Sequence, residues 1–159
     1  MKILRVGVLF MLIGAISSCG GDESMPDFIG ESVGNYSYTV KIFNGDKTVR
    51  DIISGNLTLS RNGNDITIII DEIENMNSSR LELASNGFGF DIEAATLTDN
   101  DGNLINRSGF TSFLVGGKSY HGRYNSGVKQ LFINASYSYQ DIQFSKFSFS
   151  AEVTATKQK

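Results

Sequence analysis

The sequence contains few side chains suited to nucleophilic, acid–base or metal chemistry. It has one cysteine, Cys19, and one histidine, His121, among 159 residues. A hydrolase triad needs a nucleophile, a histidine base and a residue that orients the base, and structural zinc sites take several Cys or His ligands. No spacing of Ser, His and carboxylate residues marks a triad, and the strand pattern around His121 turns this residue towards solvent. The composition therefore predicts a protein that is not an enzyme and has no metal or other cofactor.

Two acidic segments have the oxygen-rich composition that hard cations prefer. Residues 99–103 read DNDGN, but aligned as an EF-hand loop the segment lacks carboxylates at the first and twelfth positions, where they are required. It is predicted to be a plain Asp/Asn/Gly turn. The cluster of Asp71, Glu72 and Glu74 is predicted to be a solvated strand end.

The N-terminal segment has the features of a secretory signal. Lys2 and Arg5 precede an apolar run over residues 6–16. This run is shorter than the roughly 20 residues that a helix needs to span a bilayer. A basic start, a short apolar middle and small residues before a cleavage site predict a signal peptide over residues 1–18.

The residues Ile16-Ser17-Ser18-Cys19 resemble the lipobox of bacterial lipoproteins, with Ile16 where Leu is usual and Ser18 where Gly or Ala is usual. The resemblance implies that the Cys19 thiol carries a thioether-linked diacylglycerol and that Cys19 is the first residue of the mature chain. A single cysteine in an exported protein fits this role, because exported chains usually pair their cysteines or lack them. The expected partner is thus a membrane, contacted through the lipid on Cys19.

Residues 19–33 are predicted to be the lipidated cysteine followed by a flexible tether. The segment begins with the acidic, glycine-containing sequence GGDESMPD at residues 20–27, a composition typical of disordered linkers. Acidic residues after the lipidated cysteine resemble the export signals of surface lipoproteins. The resemblance implies a lipid-anchored protein of the outer membrane that faces the cell surface or the periplasm.

Chain length and charge limit the remaining classes. Removing the 18-residue leader from 159 residues leaves 141, enough for one domain. The leader carries two positive charges, so the net charge changes from −3 to −5. An acidic domain lacks the clustered basic residues that bind nucleic acid, and acyl chains, at about 0.8 kcal/mol per buried CH₂, are expected to hold it to the membrane.

Downstream of the tether the sequence alternates between apolar and polar residues, the period of half-buried β-strands. In the first run, Tyr36, Tyr38, Val40 and Ile42 share one face. The dipeptide Asn62-Gly63 is a strong signal for a hairpin turn. Helical periodicity is absent after the leader. The strands are predicted at 36–42, 53–59, 66–70, 81–83, 88–93, 110–115, 118–124, 128–139 and 142–155, with a bulge near residues 94 and 95.

Consecutive short strands joined by hairpin turns favour an all-β domain over residues 34–156. A single antiparallel up-and-down barrel of about eight strands removes exposed sheet edges most completely. The alternative is a β-sandwich. An integral outer-membrane barrel also fits the alternation, but such a barrel has no need of a lipid tether.

Three features resemble the calycin-like, or lipocalin-like, β-barrel domains of bacterial lipoproteins. They are the opening Gly34-x-Tyr36, the stretch Tyr120-His121-Gly122, and a final strand rich in Phe and Ala. The resemblance covers residues 34–155. It implies a cup of about eight strands that holds a small apolar ligand.

Aromatic residues are the predicted ligand contacts, because the alternation places many of them on the inward face. Six are assigned as ligand-binding residues: Tyr36, Tyr38, Phe90, Tyr120, Tyr124 and Tyr137. A barrel lined by Tyr and Phe suits a small apolar or sugar-like ligand, although the same side chains could simply fill the core. The predicted function is a lipid-anchored binding module; the alternative is a structural or protein-interaction module, such as an enzyme inhibitor or an assembly accessory. The sequence leaves the oligomeric state open.

Overall fold

The structure is a computed structural model that describes residues 26–71 and 74–159. The predicted signal peptide, Cys19 and residues 20–25 lie outside the described residues. Within the described ranges there are one helix and twelve strands: α1 Phe28–Ser32, β1 Gly34–Phe43, β2 Val49–Asn62, β3 Asp65–Ile70, β4 Glu74–Ala84, β5 Gly87–Ile92, β6 Ala95–Thr98, β7 Leu104–Gly109, β8 Phe113–Val115, β9 Lys118–Tyr120, β10 Gly122–Asn125, β11 Gln130–Gln140 and β12 Lys146–Lys157.

The main sheet closes into a barrel. Its ten strands follow the order β10-β5-β4-β3-β2-β1-β12-β11-β7-β6, and β10 also pairs with β11. The second pairing of β10 joins the sheet into a ring, and the first strand β1 pairs with the last strand β12. All of these pairings are antiparallel, which confirms the predicted all-β barrel and decides against the sandwich.

Two of the barrel strands are composite. Strands β5 and β6 are separated only by Glu93 and Ala94, close to the predicted bulge. Strand β10 pairs with β5, β7 pairs with β6, and both β7 and β10 pair with β11. Strands β7 and β10 are therefore two halves of one strand. They are separated by residues 110–121, which carry the separate β8–β9 hairpin. Counting each composite strand once reduces ten strands to eight in up-and-down order.

The structure extends the predicted strand 81–83 to β4 and adds β6, which was not predicted. Three further differences have an identifiable cause. Strand β7 was not predicted, because buried Arg107 interrupts its inward face between Ile105 and Gly109. The predicted strand 118–124 is divided into β9 and β10 at His121. The predicted strand 142–155 begins only at Lys146, and Ile142 and Phe144 lie in the preceding turn, which accounts for their opposite phase.

Helix α1 lies inside the predicted flexible tether 19–33 and corrects both that boundary and the expectation of no helix. The Asp27 carboxylate accepts a 3.0 Å hydrogen bond from the Gly30 amide and caps the helix. Phe28 and Ile29 are buried against the barrel. Five residues are too few to produce a periodic signal in sequence, and so short a helix depends on tertiary packing. Helix α1 closes this end of the barrel, hereafter the plugged end.

The barrel interior next to α1 is filled with apolar side chains. Its fully buried members include Tyr36, Leu57, Leu59, Ile66, Ile68, Met76, Phe88, Phe90, Leu131 and Ile133. Phe88 stacks on Tyr124 at 5.3 Å between ring centroids and contacts Phe90 at 6.0 Å. Such packing leaves no room for a ligand at the plugged end.

Candidate ligand-binding site

The opposite end of the barrel, hereafter the open end, contains a cavity of about 430 Å³. The cavity is lined by the second half of β1, the first half of β2, the last residue of β3 and the facing parts of β6, β7, β11 and β12. Most lining side chains are apolar: Val40, Ile42, Ile53, Ile70, Leu97, Ile105, Tyr137, Phe149, Ala151 and Val153. Its size is within the range of small-molecule sites.

The cavity exists because four strands extend further than their neighbours. Strand β3 ends at Ile70, opposite Leu57 of β2. Strand β2 extends beyond this point to Val49, which pairs with Phe43 of β1. The β11–β12 hairpin extends likewise, with Tyr139 paired to Phe147. Strands β3 and β4 therefore do not extend far enough to fill the space next to the inward faces of the β1–β2 and β11–β12 hairpins.

An outer groove continues the cavity between the two extended hairpins. It has a volume of about 510 Å³ and shares Ile42 and Phe149 with the cavity. The complete set that defines the outer groove is Ile42, Arg50, Asp51, Tyr139, Phe147 and Phe149. Cavity and groove together form a continuous concave surface.

Aromatic rings dominate one wall of this surface. Tyr137 and Phe149 stack with centroids 5.3 Å apart and planes inclined by 9°, and Tyr139 and Phe147 meet at 6.3 Å and 42°. The guanidinium carbon of Arg50 lies 5.9 Å from the centroid of Phe149, within the range of cation–π attraction. The wall thus offers flat apolar surface and ring faces that attract positive charge.

Tyr38 lines the cavity, and its hydroxyl is bound to a carboxylate beside the cavity, that of Asp71. The Tyr38 hydroxyl donates to Asp71 Oδ2, and the Asn56 amide donates to Asp71 Oδ1 at 2.9 Å. These two bonds, led by the Tyr38 hydroxyl, lower the pKa of Asp71. A Cβ at Gly55 would lie 2.6 Å from the Tyr38 hydroxyl, so glycine is needed where these groups meet.

The open end also has an acidic character. Asp99 lines the cavity and Asp51 the outer groove. Burial raises the pKa of Tyr139, and the charges of Asp99, Asp141 and Asp101 raise it further. Arg50 is the one basic residue among the described lining residues of the cavity and groove.

The six predicted ligand residues lie in three places: two line the cavity, three lie in the packed interior, and Tyr120 lies outside the barrel. Tyr38 and Tyr137 line the cavity. Tyr36, Phe90 and Tyr124 are buried in the packed interior near α1. The Tyr36 hydroxyl donates to the carbonyl of Ser32 in that helix. Burial raises the pKa of Tyr36, and it raises the pKa of Tyr124 to about 12.

Tyr120 lies outside the barrel, which corrects the expectation that it faces inward. It is fully buried between the β8–β9 hairpin and the outer wall, where a Cβ on Gly89 would lie 2.6 Å from its ring. Its hydroxyl donates to Glu82 Oε2 at 2.6 Å, and the Arg80 guanidinium lies 4.4 Å from its ring centroid. Burial, followed by the hydrogen bond to Glu82, raises the pKa of Tyr120 to about 12.

His121 is part of the barrel wall and is not turned to solvent as predicted. Its Nδ1 accepts a 3.1 Å hydrogen bond from the Ile92 amide, at the place where β5 ends. Its own amide donates to Asp91 Oδ1 at 3.1 Å. The ring packs where a Cβ on Gly109 would stand, 2.2 Å from Nδ1. His121 therefore connects the two halves of the composite strand.

Sequence reasoning missed several residues of the open end. Asp71 was assigned to a solvated strand end and Asp99 to a plain turn, and no ligand role was assigned to Arg50 or Phe147. The alternation of Tyr137 and Tyr139 across the hairpin from Phe147 and Phe149 was a usable signal for the aromatic wall. The Tyr38–Asp71 bond joins residues 33 positions apart and leaves no local signal.

No protein-family model matches this chain, and a comparison with curated proteins finds no match. Across residues 26–71 and 74–159, no three His, Cys, Asp or Glu side chains are grouped as metal ligands would be. In the same ranges, no helix combines the length and the hydropathy that crossing a bilayer requires.

Proposed function

We propose that this protein is a non-catalytic lipoprotein of the cell envelope that binds a small apolar or sugar-like ligand at the open end of its barrel. The observation that supports the proposal is the unequal filling of the barrel. The end next to α1 is packed and closed, whereas the other end has a cavity of about 430 Å³ with a mostly apolar lining. A largely preformed apolar cavity with a few polar groups is the usual form of a small-molecule site.

The position of α1 supports a definite orientation on the membrane. Residue 26 and the start of β1 both lie at the plugged end. The eight residue steps from Cys19 to Asp27 span at most about 29 Å. A lipid on Cys19 would therefore hold the plugged end towards the outer membrane and leave the cavity on the far side, accessible to ligand.

Lipid anchoring is tested by mass spectrometry of the N-terminal peptide of the mature protein. The expected peptide begins at Cys19 and carries the mass of a diacylglycerol thioether. Cys19→Ser should move the protein from the membrane fraction to the soluble fraction. An unmodified Cys19 in the mature chain would remove the anchor from the proposal.

Ligand binding is tested with phenylnaphthylamine, a neutral dye whose fluorescence rises in apolar surroundings. The expected result is saturable binding of one dye per chain, reversed by phenylhexanol. The matched control is the same titration after unfolding in urea, which should abolish saturation. A linear, non-saturating signal from the folded protein would contradict the proposal.

A protein-interaction role at the same end is the second candidate, favoured by one observation. Val49, Ile142 and Phe144 are 53%, 70% and 80% exposed and lie in the two adjacent hairpins of the open end. Exposed apolar groups of this kind are typical of contact surfaces. Saturable dye binding in the cavity favours the ligand role, and its absence favours the interaction role.

A further inference from the structure

The charged groups at the open end distinguish between classes of apolar ligand. A fatty acid would bring a carboxylate to the open end, whereas an alkyl or aryl amine would bring an ammonium group. Among the described lining residues, Asp51 and Asp99 are acidic and Arg50 is basic. A third carboxylate, Asp71, binds the cavity hydroxyl of Tyr38. The charge balance favours a cation.

Hydrogen bonds lower the pKa of two of these carboxylates, Asp99 and Asp71. Asp99 Oδ1 accepts bonds from the amides of Asp101 at 3.0 Å and Asn103 at 2.8 Å. Its other oxygen accepts from Asn103 Nδ2 at 2.8 Å, and this side-chain bond is the first cause that lowers the pKa of Asp99. The pKa of Asp71 is lowered as described above. Both groups therefore remain negative at neutral pH.

The aromatic wall is also suited to a cation. The ring of Phe149 stacks on Tyr137 and has the Arg50 guanidinium 5.9 Å from its centroid, so this ring already binds one cation. Arg50 is exposed and extends from the β1–β2 hairpin. A ligand ammonium would displace Arg50 from Phe149, while its apolar body occupies the cavity between Val40, Ile53 and Ile70.

We infer that the preferred ligand is a small organic cation with an apolar body, whose ammonium group binds between the ring of Phe149 and the carboxylates of Asp51 and Asp99. This inference rests on the proposed ligand-binding function and names its ligand class. The apolar body supplies affinity through burial, at about 25 cal/mol per Å². Cation–π attraction and the carboxylates supply the preference for positive charge.

The test uses three probes with one apolar body and different end groups: phenylhexylamine, phenylhexanol and phenylhexanoate. Their affinities for the folded protein at pH 7 are measured by displacement of phenylnaphthylamine. The amine is expected to bind most tightly, the alcohol next and the carboxylate most weakly. The affinities of successive probes should differ by about fivefold or more, the effect of a unit charge about 4 Å from an opposite charge in water. Added salt should reduce these differences.

Two neighbouring substitutions are expected to act in opposite directions on the amine. Asp51→Asn should weaken phenylhexylamine several-fold and Arg50→Gln should tighten it, because each changes one charge of the outer groove. Because phenylhexanol is uncharged, its affinity should change less than that of phenylhexylamine in both variants, and far-UV circular dichroism checks that they are folded. Glu152→Gln is the matched control, because Glu152 is exposed on the outward face of β12 and should leave all three affinities unchanged.

The possible failures can be told apart. Saturable phenylhexanol binding with no advantage for the amine overturns the inference of a cationic ligand and leaves the binding function intact. Tighter binding of the carboxylate also overturns it. Absence of saturable binding by all three probes overturns the proposed function as well.

Discussion

Replacing Phe90 by alanine is expected to lower the free energy of unfolding by about 3–5 kcal/mol, the usual cost of removing a fully buried phenylalanine. Phe90 is completely buried in the packed half of the barrel, where its ring contacts Phe88. A Cβ on Gly122 would lie 2.3 Å from the Phe90 ring, so the ring fills its space closely. Urea unfolding of the two proteins measures the difference.

Phe147→Ala is the matched control for this prediction. Phe147 is 54% exposed in the outer groove, so the same truncation there should cost less than about 1 kcal/mol. It should instead weaken phenylnaphthylamine binding. Phe90→Leu keeps the protein folded if Phe90→Ala does not fold, and it should show a smaller loss of stability. Equal losses of stability from Phe90→Ala and Phe147→Ala would contradict the division into a packed and a hollow end.

Ile53→Trp is expected to weaken phenylnaphthylamine binding about tenfold or more. Ile53 lines the cavity and is 43% exposed, so a larger side chain there occupies ligand space without entering the packed core. Excluding about 55 Å² of ligand surface at about 25 cal/mol per Å² accounts for a tenfold loss. The measurement is the dye titration described above.

The adjacent residue provides a close control. Ile52 is 58% exposed and, as the next residue of β2, points to the opposite face. Ile52→Trp should therefore leave dye affinity unchanged, and both variants should keep their stability within about 1 kcal/mol of the parent. Equal dye affinity in the two variants would place the binding site elsewhere.

Much of the barrel could be predicted because its strands keep a regular alternation. The inward series Tyr36, Tyr38, Val40 and Ile42 and the turn at Asn62-Gly63 are both local signals, and β1 and the β2–β3 hairpin follow them. The prediction of β7 failed because Arg107 occupies an inward position. Its guanidinium is buried and donates to the carbonyls of Asn75, at 3.0 Å, and Glu93, at 3.4 Å, partners distant in sequence.

The site was less predictable, because alternation assigns a face and not a depth along the barrel. Tyr36 and Tyr38 share a face, yet one lies in the packed end and the other lines the cavity. Helix α1 decides which end is closed, and it is too short to be recognised from sequence. Tyr120 was misplaced for a third reason: the insertion of residues 110–121 folds back over the outer wall.

Ligand is expected to bind at the open end of a barrel whose other end is packed. Methyl-resolved NMR during a phenylhexanol titration tests it most directly, because both ends contain isoleucine, valine or leucine. The methyl signals of Val40, Ile53 and Ile70 should shift saturably, with one affinity, while those of Leu59, Ile66 and Ile133 stay in place. Saturable shifts confined to the second set, or no saturable shift in either, would contradict the account.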